Sequence, residues 1–171
     1  LYKSPLASRY ATPAMLENFS DRRRALVWRD LWIALARAEH ELGGGVTQAQ
    51  LEALEAARET VDFVRVAELE AELRHDVMAH VHAWGDRCPK AKGIIHLGMT
   101  SQDVNDNCEI TLLSHANRCV SVATDRLIVA CGTIAERYKS VPALAFTHYQ
   151  PAQPTTVGRR AGVLLGVEDD T

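Results

Sequence analysis

Residues 104–138 read VNDNCEITLLSHANRCVSVATDRLIVACGTIAERY, and their spacing decides the fold. Leu113, Ala116, Val120, Ala123, Leu127, Ala130 and Ile134 alternate by three and four positions through three heptads. Apolar side chains so spaced line one side of a helix, and such a seam is what a bundle or coiled coil buries. Its alanines suit close helix packing. At ~1.5 Å per residue the helix would be about 50 Å long. That is too long for a compact globule of 171 residues. The seam is therefore expected to be covered by other chains or by residues beyond these.

The rest of the chain supports an all-α reading. Apolar residues make up 47%, enough for a core, while aromatics are only 6% and Ala and Leu dominate; this favours helices over a β-sandwich. Towards the N-terminus, SDRRRALVWRDLWIALARAEHELGGG starts at a capping Ser20 or Asp21 and stops at glycines, with Gly43 suited to a positive φ after the last turn. Trp28, Leu31, Leu35, Ala38 and Leu42 form its expected apolar stripe. Thr47 and Gln50 have capping-box spacing for a second helix. A third pattern runs from Asp62 through Val66, Leu69 and Leu73, and the segment after it is expected to close at Gly85 and Pro89. KGIIHLGMTSQDVNDN reads as a loop feeding the long helix, with Thr100 or Ser101 near its start. FTHYQPAQPTT, residues 146–156, reads as a loop between helices, and TTVGRRAGVLLGV starts another helix. The expected organisation is a helical N-terminal domain over 1–100 and the start of a long-helix domain over 101–171. No repeat or low-complexity tract interrupts it.

Several classes are disfavoured. A net charge of −3 argues against a nucleic-acid groove driven by bulk charge. No run approaches the roughly 18 apolar residues of a membrane span, and LYKSPLASRY lacks the pattern of a signal peptide. The chain begins with Leu1 rather than Met, so some N-terminal residues are expected to be missing. The four cysteines, Cys88, Cys108, Cys119 and Cys131, form no CxxC and read as reduced thiols of a cytosolic protein.

Four polar clusters could carry chemistry. RHDVMAHVH holds Arg74, His75, Asp76, His80 and His82. On a helix, His75 and His80 would lie ~140° apart and His80 and His82 ~160° apart. They share no face, which argues against a metal site. Arg and His side by side at a helix start suit either an anion or a solvated cap. GMTSQDVNDN offers the Thr100 and Ser101 hydroxyls at a helix N-terminus, suited to a carboxylate or to an ordinary cap. His148, with Thr147 and Gln150 beside it, either exchanges a proton near neutral pH or is structural. Arg9 and Tyr10 in SRY offer a phosphate fork and a hydroxyl, or decorate the surface. Taken singly, none of the four decides a function.

Together and in this order, SPLASRY, RHDVMAHVH, KGIIHLGMTSQDV and FTHYQPAQPTTVGRR resemble the adenylosuccinate lyase family of the fumarase/aspartase superfamily, over nearly all of residues 2–160. The resemblance implies β-elimination of fumarate from adenylosuccinate, giving AMP, and from the succinyl-aminoimidazole carboxamide ribotide, with no metal or organic cofactor. It implies that His148 is the general acid, oriented with the substrate by Thr147 and Gln150. Arg9 and Tyr10 match nucleotide-binding positions. Arg74, His75 and Asp76 match a second substrate-binding segment, with His75 close to the reacting groups. Thr100 and Ser101 match the pair that holds the succinyl end. It further implies a cytoplasmic homotetramer whose active sites draw on three subunits, with no nucleic-acid or membrane partner. The family's base, a serine in an SSxMPxKxN loop, has no counterpart here, and GVLLGVEDDT departs from the family's next helix. The chain is therefore expected to be an inactive fragment of such an enzyme; the alternative is a non-catalytic helical oligomerisation module derived from one.

Overall fold

Side chains that satisfy free backbone N–H groups set most helix starts in the computed structural model, which describes residues 4–166. Thr12 accepts from Met15 N–H at the head of α1 (Pro13–Asn18). Ser20 accepts from Arg23 N–H at 3.1 Å, starting α2 (Asp21–Glu41), and Gly43 follows its end at φ 75°. Thr47 N–H donates to Gln50 Oε1 at 2.9 Å, completing the expected box on α3 (Gln48–Ala56). Asp62 caps α4 (Phe63–Leu73) through Arg65 N–H. Helix α4 ends where Arg74 turns left-handed, and α5 (Asp76–Arg87) begins one residue later. A 3-10 turn (Lys92–Ile94) leads to α6 (Ser101–Arg137), which confirms the long helix at 37 residues. Thr156 caps α7 (Val157–Val163), the helix expected to start in TTVGRRAGVLLGV. Val167 to Thr171, including the EDDT stretch, lie outside the described residues.

Three local expectations are corrected. Gly85 does not close its segment. It lies inside α5, where an added Cβ would meet Lys92 Cγ at 2.7 Å. Of the expected stripe on α2, Trp28 is buried and Leu31 packs on the core, but Ala38 is exposed and Leu42 is 86% exposed; the buried residues also include Ala25, Leu26, Val27, Arg29, Trp32, Ile33 and Ala36. The tryptophans determine the buried face, because they are the largest surfaces to remove from water. Residues 146–156 are not a loop. They belong to a hairpin of β1 (Pro142–Thr147) and β2 (Gln150–Thr156), the one sheet among the described residues. Pro151 and Pro154 sit within β2, which a two-stranded sheet tolerates because both strands are edges.

The chain divides into two compact units, Leu1–Ala116 and Asn117–Thr171. In the first, Trp28, Trp32 and Trp84 pack with Leu51, Leu54, Val77 and Val81. Helix α6 contributes Val104, Cys108 and Leu112, four positions apart, to the same core. Arg29 is 2% exposed, yet its guanidinium donates to the carbonyls of Ala57, Arg58 and Thr60 and lies 5.0 Å over the Trp84 ring. Burial holds its pKa down to about 10; the three carbonyls are what make a buried cation tolerable. In the second unit, Gly158 N–H donates to Tyr138 O at 3.0 Å. A Cβ there would lie 2.3 Å from Ala135 O, so only glycine lets α7 approach the end of α6 this closely. The seam of α6 stays open along this chain: Leu113 is 60%, Val120 55% and Leu127 62% exposed. All four cysteines are free thiols. No helix among the described residues is long and apolar enough to cross a membrane.

Candidate active site

The break between α4 and α5 builds the first half of the site. Arg74 ends α4 at φ 51° and donates its N–H to Glu70 O at 2.8 Å. His75 is then extended (φ −150°) and caps α5, its Nδ1 accepting from Met78 N–H at 3.4 Å. An accepting Nδ1 leaves the proton of the neutral ring on Nε2. That nitrogen lies 3.3 Å from Ser101 Oγ, joining two clusters 26 residues apart in sequence. Asp76 Oδ1 accepts from Val77 N–H at 2.8 Å and lies 3.6 Å from His75 Nδ1, within reach of a protonated ring. Glu70, Arg74, His75 and Asp76 line one open pocket.

Thr100 and Ser101 stand at the head of α6. Thr100 N–H donates to Asp103 Oδ2 at 2.9 Å, and Asp103 N–H donates back to Thr100 O at 3.1 Å. This locks the first turn and keeps both hydroxyls at the helix N-terminus. Gly98 precedes them at φ 75°, where an L side chain would be strained.

His96 is a member of this site that the sequence did not single out. Its Nδ1 accepts from Trp32 Nε1–H at 3.0 Å. Burial first, and then the charge of His75, hold its imidazole below its ordinary pKa, against the pull of Asp103. The signal available in the sequence was its place two residues before Gly98.

On the other side of α5, Asp76 and His80 line a cavity of about 460 Å³ with Asp21, Arg24, Trp28, Phe63 and Glu70. His80 meets Trp28 edge-on with ring centroids 5.0 Å apart. Burial, reinforced by the charge of Arg29, lowers its pKa to about 4, so the ring is neutral at pH 7.

The remaining predicted residues lie apart from this cluster in the chain. Arg9 and Tyr10 end a π-helical turn (Leu6–Tyr10), closed by Ala11 N–H to Leu6 O at 2.8 Å, and both are exposed. Among the described residues, neither bonds to His75 or Ser101. Thr147, His148 and Gln150 belong to the second unit. His148 and Tyr149 form the two-residue hairpin turn at φ 50° and 62°. Both signs are positive, as in a primed turn, yet neither residue is Gly or Asn. Holding two L-residues there costs about 1 kcal/mol or more each. The turn presents the His148 ring to solvent, with no hydrogen bond to it among the described residues.

A family model described as Lyase matches residues 8–167. The chain belongs to this lyase family. Among curated relatives, the lyase chain is 44% identical over 168 residues to an adenylosuccinate lyase of Schistosoma mansoni, covering 98% of this chain and 35% of that protein. It is also 44% identical over 165 residues to the adenylosuccinate lyase of Saccharomyces cerevisiae, covering 94% and 34%. The chain thus spans about a third of the length of these relatives. Among solved structures, it matches a 3-carboxy-cis,cis-muconate lactonizing enzyme from Pseudomonas putida with a TM-score of 0.82 and 31% identity, over 94% of this chain and 38% of that one. A fumarate lyase from Mesorhizobium sp. BNC1 shares the fold at a TM-score of 0.80 and 24% identity, over 97% and 38%.

Proposed function

We propose that this chain is part of an adenylosuccinate lyase, which eliminates fumarate from adenylosuccinate and from the succinyl-aminoimidazole carboxamide ribotide. The observation that carries this reading is the contact of His75 Nε2 with Ser101 Oγ at 3.3 Å. It brings the RHD segment and the TS pair, two of the four motifs behind the resemblance, to one place. A base removes a proton from the carbon next to a substrate carboxylate, and the electron pair spreads onto that carboxylate. The carbon–nitrogen bond then breaks, the pair forms the double bond of fumarate, and the departing nitrogen takes a proton from an acid. His148 is that acid, with Thr147 and Gln150 orienting it and the substrate. Thr100 and Ser101 hold a succinyl carboxylate at the N-terminus of α6, where backbone dipoles favour an anion. Arg74, His75 and Asp76 flank the reacting groups, and Arg9 and Tyr10 take the nucleotide. The base serine comes from sequence outside this chain, so these residues alone do not turn over. The open seam of α6 supports assembly with further copies of the chain; the assembly proposed is a homotetramer, in the cytoplasm.

Fumarate release from adenylosuccinate by the full-length protein tests this reading. Wild type is active, and His148→Ala loses about a hundredfold or more in kcat while still binding substrate. The 171-residue chain assayed alone shows no turnover. Normal turnover by His148→Ala overturns the role of the hairpin, and normal turnover by the isolated chain overturns the need for an outside base.

A further inference from the structure

We propose that Trp32 is a positioning residue for His96: its indole N–H fixes His96 as the Nε2–H tautomer, so that the ring offers a hydrogen-bond donor, not a base, in the neighbourhood of His75. The role in turnover rests on the proposed elimination, whereas the tautomer does not.

The geometry begins with the donor. Trp32 Nε1 is an obligate donor with no acceptor function. It lies 3.0 Å from His96 Nδ1 and is 64 residues away in sequence. The indole cannot turn aside, because it is 2% exposed and stacked on Trp84, with centroids 5.9 Å apart and planes at 29°. Trp28 adds a tilted contact at 6.2 Å. His96 meets the indole edge-on at 86°. Its own backbone is left-handed at φ 66°, a conformation costly for a histidine and retained where surroundings hold it.

The consequence for the imidazole is specific. A proton on Nδ1 would face the indole N–H directly, so the neutral ring keeps its proton on Nε2. The groups whose charges bear on His96 are His75 from the α4–α5 break and Asp103 from α6. From α2, Glu39 carries a carboxylate near Gly98, with Oε1 3.6 Å from where a Cβ would stand. Burial, the largest influence, holds the His96 imidazole below its ordinary pKa, so tautomer rather than charge is the variable that Trp32 controls. The ligand class is an anionic oxygen of the substrate. A ring with the opposite tautomer would offer such an oxygen a lone pair in place of a proton.

Two measurements on the full-length protein decide the point. In solid-state spectra of 15N-histidine-labelled protein at pH 7, the signals of His96 are those missing from His96→Gln. Wild type shows an unprotonated Nδ1 and a protonated Nε2, and Trp32→Phe adds a population with Nδ1 protonated. A protonated Nδ1 in wild type, or an unchanged tautomer in Trp32→Phe, overturns the proposal. If Trp32→Phe does not fold, the wild-type spectrum alone decides. In turnover of adenylosuccinate, Trp32→Phe lowers kcat/KM about tenfold. In the His96→Gln background the same change costs less than about twofold, because glutamine offers an amide N–H with no tautomer to fix. Equal losses in both backgrounds assign Trp32 to packing alone and overturn the proposal. If wild type releases no fumarate, the proposed elimination fails while the spectra still decide the role of Trp32.

Discussion

Trp32 and Trp84 in the first unit are 2% and 0% exposed, whereas Leu127, Val129 and Phe146 in the second are 62%, 69% and 64% exposed. The contrast is not one of composition, since both stretches are rich in large apolar side chains. The first unit folds several helices around one set of tryptophans, so the faces that carry them meet partners within the chain. The second has the latter part of α6, a hairpin and a short helix, too few elements to cover the seam. A periodic apolar stripe therefore tells which face is to be buried but not what buries it. The tryptophan core of the first unit answers that demand internally; the seam of α6 stays exposed.

The sharpest way to break this contrast is to truncate one side chain in each unit. Trp84→Ala is expected to cost about 3–5 kcal/mol in urea unfolding. Leu127→Ala in the isolated chain should change stability by less than about 0.5 kcal/mol. If the two losses are equal, the seam is buried in the chain as it stands. The second unit has one joint as tight as any core. Gly158→Ala places a Cβ against the carbonyl of Ala135, and about 2–3 kcal/mol should be lost from the unfolding of that unit, followed by the protection of its backbone amides in hydrogen exchange. An unaffected unit would show that α7 can move away freely.

Acidification should act on the first unit. The folded pKa of His80 is about 4, below its ordinary 6.5. The unfolded chain therefore takes up its proton first as pH falls. The corresponding stability is fully present above about pH 6.5 and disappears as pH drops to about 4, a loss of about 2–3 kcal/mol. The lowered pKa of His96 acts in the same direction. Denaturant midpoints measured across that range test the slope, and His80→Leu should flatten it. A smaller effect, of opposite sign, is expected at the hairpin tip. Tyr149 is 104% exposed at φ 62°, so Tyr149→Gly removes strain without removing contacts. It should stabilise the second unit by about 1 kcal/mol. A loss of thermal stability instead would mean that the tyrosine ring packs on something outside the chain.

What the sequence by itself determined was local. Ser20, Thr47, Asp62 and Thr156 cap helices through atoms three residues away, and such contacts are visible in spacing alone. The long helix was legible for the same reason, since its signal repeats along the chain. The four polar clusters and the family they resemble were also legible, because the order of residues carries them. The hairpin was hidden, because its strands contain prolines and its turn uses histidine and tyrosine where glycine or asparagine is usual. Only the tertiary structure decided which face of α2 is buried, that Gly85 sits inside a helix, and that Arg29 is a buried cation held by three carbonyls. It also decided that His75 meets Ser101 and that Trp32 meets His96, pairs 26 and 64 residues apart. Contacts at such separations leave no periodic trace in the chain, because packing of whole helices, not backbone geometry within one turn, brings them together.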